Sequence, residues 1–161
     1  MHTPPPRRTP EQEAAYRDLL REIFEVKICF NQLLGLKVLS MQHDAPRLGF
    51  AMRDELIGSY AHGRLHGGVI SAVLDTVGGF AVTLAIGEKF AGETAEPVAH
   101  RFGRIGTIDL RVDYLRPGIG QHFEATASVI RLGGRIASTQ MSLLDPQGQI
   151  IATGAAAYVV S

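Results

Sequence analysis

An almost uninterrupted apolar run extends from Val69 to Ile86, VISAVLDTVGGFAVTLAI, and it limits the folds that this chain can adopt. The run approaches the roughly 20 residues that a membrane-spanning helix needs. Asp75 lies near its middle, where a carboxylate inside a bilayer would cost about 3 kcal/mol, so we predict no membrane span. A helix that is apolar on all sides is typical of a protein core. We therefore predict a buried central helix from His66 to Ile86 that is ended by Gly87.

The rest of the chain predicts one N-terminal helix and six strands. Thr9 and Pro10 match an N-cap and a first helical position, Gln12 completes a capping box, and the helix runs to about Lys27. The segments LKVLSMQ and RLGFAMR follow as a hairpin. Alternation from Thr107 to Tyr114, and then the runs FEATASVIR, RIASTQMSLL and QIIATGAAAYVV, predict four further strands in an antiparallel meander. The connection GEKFAGETAEPVAHRFGRIG is predicted to be irregular.

These elements define an α+β fold in which an antiparallel six-stranded sheet wraps around the long central helix, with an extra N-terminal helix. The sheet must cover its apolar face, and the central helix is the one element apolar enough to be enclosed by it. We expect residues 1–8 to form a flexible tail and residues 9–161 to form a single domain. Because open sheet edges favour pairing with another chain, we predict a homodimer or a dimer of dimers.

Charge and cysteine content narrow the classes of function. The chain has 16 Lys and Arg residues against 16 Asp and Glu residues, which disfavours a broad basic face for nucleic acid. Cys29 is the sole cysteine, so no intrachain disulfide forms and no paired-cysteine zinc site is expected. The start MHTPPPRRTPEQE lacks the apolar segment of a secretory signal. We expect a cytoplasmic protein with no nucleic-acid partner and no metal.

The stretch HGGVISAVLDTVGG resembles the signature of the hotdog-fold acyl-CoA thioesterases of the PaaI-like (phenylacetate-degradation-type) branch. In that signature His-Gly-Gly is followed by an acidic residue, and the corresponding residues here are His66, Gly67, Gly68 and Asp75. FNQLLGLKV before it and IDLRVDYLRPG after it are similar to other segments of the branch. The resemblance implies a hotdog fold and hydrolysis of acyl-CoA to free acid and coenzyme A, without a cofactor.

Elementary chemistry supports the same residues. The first amides of a helix are unpaired and carry the positive end of its dipole, so the N–H groups of Gly67 and Gly68 can polarise a thioester carbonyl. One such oxyanion donor contributes about 3 kcal/mol. Asp75 is a carboxylate within an apolar helix, and it can activate a water as general base or attack the thioester itself. The structural alternatives are glycines that only permit tight packing and an Asp75 satisfied by nearby donors.

The spacing of these groups leads to a prediction about assembly. The eight residues from Gly67 to Asp75 correspond to about 12 Å along a helix axis, whereas an oxyanion donor and a base must both lie within roughly 3 to 4 Å of one reacting centre. One chain cannot easily supply both. Two antiparallel central helices would bring Gly67 to the partner's Asp75, twice by symmetry. We therefore predict that activity requires dimerisation.

Further site residues follow from the resemblance. Thr107 occupies the position of a Ser or Thr that helps to hold the attacking water in related enzymes. The branch often has an Asn in the loop before HGG, but here GSYAHG offers Ser59 and Tyr60 instead, which leaves Ser59 or His62 as candidate replacements. His66 is expected to fix the loop through hydrogen bonds rather than to act as a base, since the sequence shows no carboxylate partner for it.

The two ends of an acyl-CoA substrate suggest further contacts. Its phosphates favour arginine near the mouth of a site, and the candidates in the irregular connection and around the Gly133 turn are Arg101, Arg104, Arg131 and Arg135. For the acyl group we expect contacts between the central helix and the sheet or the partner. The candidate residues there are Val69, Val73 and Phe80.

Two other functions fit these residues less well. A non-catalytic acyl-CoA sensor would use the same fold, but Asp75 is retained and no DNA-binding segment is attached. A hotdog hydratase would pair a histidine with an acidic residue. His66 and Asp75 lie about 13 Å apart along the helix and on opposite faces, so only pairing across a dimer would supply that arrangement.

Overall fold

The computed structural model describes residues 7–161. Its helices are α1 (Pro10–Glu22), α2 (Cys29–Leu34), α3 (Gly67–Lys89) and α4 (Ala95–Phe102), with a π-helical segment (Ile23–Lys27) after α1 and a 3₁₀ turn (Asp54–Leu56). Its strands are β1 (Lys37–Gln42), β2 (Ala45–Ala51), β3 (Ile57–Ser59), β4 (Arg64–Leu65), β5 (Gly106–Tyr114), β6 (His122–Leu132), β7 (Ile136–Leu144) and β8 (Ile150–Val159). The element types and their order confirm the predicted α+β class.

Six strands form one sheet in the order β1-β2-β6-β7-β8-β5, and all neighbouring strands are antiparallel. The predicted six-stranded antiparallel sheet is therefore confirmed. The predicted meander is right for β6, β7 and β8 but wrong for β5, which pairs with β8 at the far edge while β6 pairs with β2. Alternation of apolar residues identifies a strand, but consecutive strands are neighbours in only about two-thirds of cases.

The long helix α3 packs against β6, β7 and β8 and supplies the centre of the core. Its side chains Val73, Leu74, Val77 and Phe80 are fully buried. By length and composition this helix could cross a membrane, but 61% of its most apolar 18-residue window is buried within the protein. It is the enclosed core helix that the apolar run predicts.

The central helix continues to Lys89, so the prediction that Gly87 ends it is wrong. Gly87 lies inside the helix, and Tyr16 of α1 approaches it closely: a Cβ at this position would lie 1.8 Å from the Tyr16 hydroxyl. Glycine is needed here for close contact rather than for a left-handed turn. The Arg8 guanidinium donates to the carbonyls of Gly87 at 2.9 Å and of Phe90 at 3.3 Å, which caps the end of α3.

The N-terminal helix begins as predicted. Thr9 and Gln12 form the capping box, with each side chain accepting a hydrogen bond from the other residue's amide. Beyond Glu22 the helix widens into the π-helical segment, a form that often occurs at functional sites. Residues 1–6 of the predicted tail lie outside the described residues. The Arg8 amide donates a hydrogen bond to the Ala91 carbonyl at 2.7 Å, and the flexible tail over residues 1–8 stays a prediction.

Regular structure also forms in two connections between the predicted elements. A small ladder of β3 and β4 forms in the loop before α3, and α4 forms within the connection to β5. Val98 of α4 is fully buried and Phe102, four residues later, packs against the core. This is the spacing of an amphipathic helix. The flanking glycines of the connection favoured a loop and obscured that signal.

Candidate active site

Asp75 lies in the first half of α3 on a face that the core covers only in part. Thr107 of β5 donates a hydrogen bond from Oγ1 to Asp75 Oδ1 at 2.9 Å. The Tyr158 hydroxyl of β8 lies 2.9 Å from the Asp75 carbonyl oxygen and 3.3 Å from Oδ1. Donors from two strands therefore hold this carboxylate, which offsets the cost of placing it among apolar side chains.

Tyr158 is a site residue that sequence reasoning missed. Its side chain is 2% exposed, and its hydroxyl fits against α3 because position 78 is glycine: a Cβ on Gly78 would lie 2.2 Å from Tyr158 Oη. Burial, and then the nearby Asp75 charge, raise the pKa of the Tyr158 hydroxyl above its ordinary value. The hydroxyl therefore keeps its proton and acts as a donor. In the sequence, AAAYVV has the pattern of an ordinary strand. Only the packing of β8 against α3 shows that the tyrosine contacts Asp75.

A cavity of about 570 Å³ opens beside Asp75. Most of its apolar wall comes from the π-helical segment, α2, α4 and the residues that adjoin these helices, at Ile23, Phe24, Ile28, Phe30, Phe102 and Ile105. Within the described chain, none of the predicted acyl contacts Val69, Val73 and Phe80 is among its lining residues. Val73 and Phe80 instead face the core, where Phe80 packs edge-on against Phe24 with 4.7 Å between ring centroids.

The start of α3 presents a single open amide. His66 is the N-cap, and its Nδ1 accepts a hydrogen bond from the Gly68 amide at 2.8 Å, so one of the two predicted oxyanion donors is already engaged. The Gly67 amide has no hydrogen-bond partner among residues 7–161. The Tyr114 hydroxyl donates to the Gly67 carbonyl at 3.1 Å and so helps to hold the backbone of Gly67 in place. Gly67 is therefore the donor available to a ligand.

A second cavity, of about 550 Å³, opens at this end of α3 and is lined by Ser59, His66, Gly67 and Tyr114, among others. Asp75 lines the first cavity and, within the part of the chain described, not the second. The rise of about 12 Å along the helix between Gly67 and Asp75 agrees with this separation. Within residues 7–161, Gly67 and Asp75 therefore open to separate cavities.

The two candidate residues in the loop before α3, Ser59 and His62, occupy different positions relative to the second cavity. Ser59 lines the second cavity together with Gly67, whereas His62 is not among its lining residues in the described structure. His62 Nδ1 lies 3.2 Å from the Ser59 hydroxyl and 3.4 Å from the Arg64 guanidinium. Ser59 therefore shares the second cavity with the open Gly67 amide, and His62 contacts Ser59.

Two of the four predicted arginines share a site. Arg101 and Arg104 line a third cavity, of about 170 Å³, beside Phe90. Arg101 pairs with Glu93 at 2.7 Å and its guanidinium lies 3.8 Å from the Phe90 ring centroid. The other two arginines are exposed and, among the described residues, do not line this cavity: Arg131 and Arg135.

A metal site would need several ligand side chains close together. Across residues 7–161, no group of three or more His, Cys, Asp or Glu side chains is placed to hold a metal ion. Cys29 is exposed on α2.

A six-stranded antiparallel sheet around one long helix, with His-Gly-Gly at the helix start and a carboxylate further along, defines a hotdog-fold thioesterase. The thioesterase superfamily matches residues 62–152 of this chain. The chain therefore belongs to the thioesterase superfamily. The match contains Gly67, Asp75 and Thr107 and stops before Tyr158.

Individual relatives agree with this assignment. The chain is 34% identical to the medium/long-chain acyl-CoA thioesterase YigI of Escherichia coli over 142 residues, which cover 88% of this chain and 92% of YigI. A Shewanella oneidensis protein related to the thioesterase superfamily has 39% identity and a TM-score of 0.87, covering 96% of this chain and 100% of that chain. A thioesterase from Haemophilus influenzae shares the fold, with a TM-score of 0.70, 20% identity and coverage of 88% and 87%. The hotdog fold is confirmed, and the PaaI-like branch stays a prediction.

Proposed function

We propose that this protein hydrolyses acyl-CoA thioesters to the free acid and coenzyme A. The observation that carries the proposal is Asp75, a carboxylate held by Thr107 on the central helix of a thioesterase fold and facing a largely apolar cavity. The relationship to YigI, which is named as an acyl-CoA thioesterase, supports coenzyme A as the carrier. Water is the second substrate, so the reaction requires no cofactor.

In the proposed reaction Asp75 takes a proton from a water molecule, which attacks the thioester carbonyl carbon. The Gly67 amide donates to the carbonyl oxygen as it becomes negative, and the tetrahedral intermediate then expels the coenzyme A thiolate. Thr107 engages Oδ1 of Asp75, so among the described contacts Oδ2 is the oxygen that faces the water. Direct attack by Asp75 through an anhydride is the alternative, and both routes need the same carboxylate.

The proposed centre is completed by a second copy of the chain. Because Gly67 and Asp75 face different cavities within one chain, a partner is needed to bring an open amide to each carboxylate. Antiparallel packing of two α3 helices would do so twice by symmetry. The edge strand β5 supports an interface, since it exposes 53% of Ile108 and 55% of Tyr114.

The phosphates of coenzyme A require cationic groups. Arg101 is committed to Glu93, so Arg104 is the more available guanidinium of the third cavity. Contacts from Arg131 and Arg135 stay predictions.

Thiol release from a panel of acyl-CoAs, from acetyl to palmitoyl with phenylacetyl and benzoyl, tests the function directly. We expect the protein to hydrolyse a contiguous set of chain lengths. If it binds acyl-CoA but releases no thiol from any member, the hydrolytic proposal is wrong and the non-catalytic sensor takes its place.

Tyr158 is proposed as a positioning residue for Asp75. Tyr158→Phe removes one hydrogen-bond donor to Asp75, so we expect kcat to fall about fivefold, the effect of one hydrogen bond, while KM stays near the parent value. Tyr16→Phe is the matched control, since Tyr16 is also buried and its hydroxyl has no partner within residues 7–161. A parent-like kcat in Tyr158→Phe, or a rise in KM with kcat unchanged, would contradict this role.

A further inference from the structure

One stripe of α3 forms the floor of the cavity beside Asp75. Asp75, Gly79 and Thr83 follow one another at four-residue intervals and all line this cavity, so they lie on one face of the helix. Eight residues of α-helix rise about 12 Å. The cavity therefore extends about 12 Å along the helix from the carboxylate.

The wall beyond Asp75 offers little to a polar ligand. Thr83 donates its hydroxyl to the Gly79 carbonyl at 2.9 Å, and the Asn31 amide donates to the Phe24 carbonyl at 2.9 Å. These polar side chains are already satisfied within the protein, and most of the remaining wall is aliphatic or aromatic. A polar occupant would lose its hydrogen bonds to water without replacement. The wall therefore suits an occupant that is apolar along its length and carries its reacting group at the Asp75 end.

We infer that this cavity holds the acyl chain of the substrate, extended from Asp75 towards Thr83, and that the preferred chain is straight and has about eight to twelve carbons. An extended chain advances about 1.2 Å per bond, from roughly 3.6 Å per three backbone bonds, so about 12 Å accommodates about ten bonds. The volume of about 570 Å³ lies within the range of small-molecule sites. The inference rests on the proposed hydrolysis at Asp75 and names its substrate class.

Gly79 sets the usable depth of this pocket. It lies one helical turn beyond Asp75, about 6 Å along the axis. A Cβ at Gly79 has only Tyr158 Cε1 within 4 Å, at 3.8 Å, whereas a Cβ at Gly78 would collide with the Tyr158 hydroxyl. A side chain at position 79 therefore has room to form, and it would occupy the path of the acyl chain. The missing side chain makes Gly79 a specificity-determining residue.

Gly79→Val tests the pocket through the dodecanoyl-CoA to butyryl-CoA ratio of kcat/KM. We expect the parent to prefer octanoyl- or dodecanoyl-CoA to butyryl- and phenylacetyl-CoA. In the variant the ratio is expected to fall at least about tenfold, since displacing a single methylene already changes specificity by that order. Ala14→Val, on the exposed side of α1, is the matched control and is expected to keep the parent ratio. Ala99→Leu, on the α4 wall of the same cavity, replaces Gly79→Val if the latter does not fold.

The outcomes separate the pocket from the reaction. An unchanged ratio in Gly79→Val and Ala99→Leu, or a parent that prefers phenylacetyl-CoA, overturns the pocket and leaves the hydrolytic function standing. If the parent hydrolyses nothing, the proposed function fails. The same ratio is then obtained from dissociation constants of dodecanoyl- and butyryl-CoA measured by calorimetry, where an unchanged value again overturns the pocket.

Discussion

Asp75→Asn is expected to lower kcat at least about 100-fold, because general-base catalysis contributes roughly 10² to 10⁴ and nucleophilic attack would be lost altogether. The change is nearly isosteric. The asparagine Oδ1 can still accept the Thr107 hydrogen bond, and the Tyr158 contact to the backbone carbonyl does not depend on the side chain. Fold and substrate binding are therefore expected to persist.

The measurement is thiol release on the best acyl-CoA, together with a thermal unfolding curve and the dissociation constant of the substrate. Asp18→Asn, at an exposed position of α1, removes one charge by the same chemical change and is expected to keep the parent rate. A parent-like rate in Asp75→Asn would exclude this carboxylate as base and as nucleophile. Its hydrogen bonds to Thr107 and Tyr158 would then be purely structural.

The central helix could be predicted because its apolar character does not depend on its neighbours. A continuous apolar run that contains one carboxylate has few stable placements other than a core. The end of the helix could not be predicted in the same way. Glycine is the residue type typical of a helix C-terminus, so Gly87 looked like the end of the helix. The residue that requires glycine at this position is Tyr16, which is 71 positions away in the sequence and contacts Gly87 only in the folded protein.

The strands were predictable one by one, but the sheet order was not. Alternation within β5 identifies a strand and contains no information about whether its neighbour is β6 or β8. The same limit applies to α4, where Val98 and Phe102 give only two apolar positions. That is too short a signal to outweigh the surrounding glycines.

The catalytic candidate could be predicted from the sequence, but the residues that line the cavity could not, because they depend on which face of the helix is turned towards it. Asp75 is conspicuous as a carboxylate in an apolar run. A helix that is apolar on all sides, however, has no polar stripe to distinguish its faces. Val73 and Phe80 therefore looked as suitable for an acyl chain as Gly79, and only the packing of α3 shows that Gly79 faces the cavity.

Gly67→Pro is expected to lower kcat about 10²- to 10³-fold, the effect of losing one oxyanion donor. Gly67 is the first residue of α3, where proline is tolerated because the N–H has no helical partner. His66 has φ −66° and ψ 137°, a conformation that a following proline accepts. Gly67→Ala is the matched control because it keeps the amide, and its Cβ would lie 3.4 Å from Tyr114 Cε1, an ordinary contact. Equal losses in the proline and alanine variants would contradict a role for the amide.

Co-expression of Gly67→Pro with Asp75→Asn shows where the two groups meet. Each variant alone lacks one group at every site. If sites are shared across the dimer, a mixed dimer has one site with both groups intact and one site with neither. Random assortment makes about half of the dimers mixed, so about a quarter of the parent activity is expected to return. If Gly67 and Asp75 instead act within one chain, no site in the mixture holds both groups, and the activity stays at the level of the separate variants.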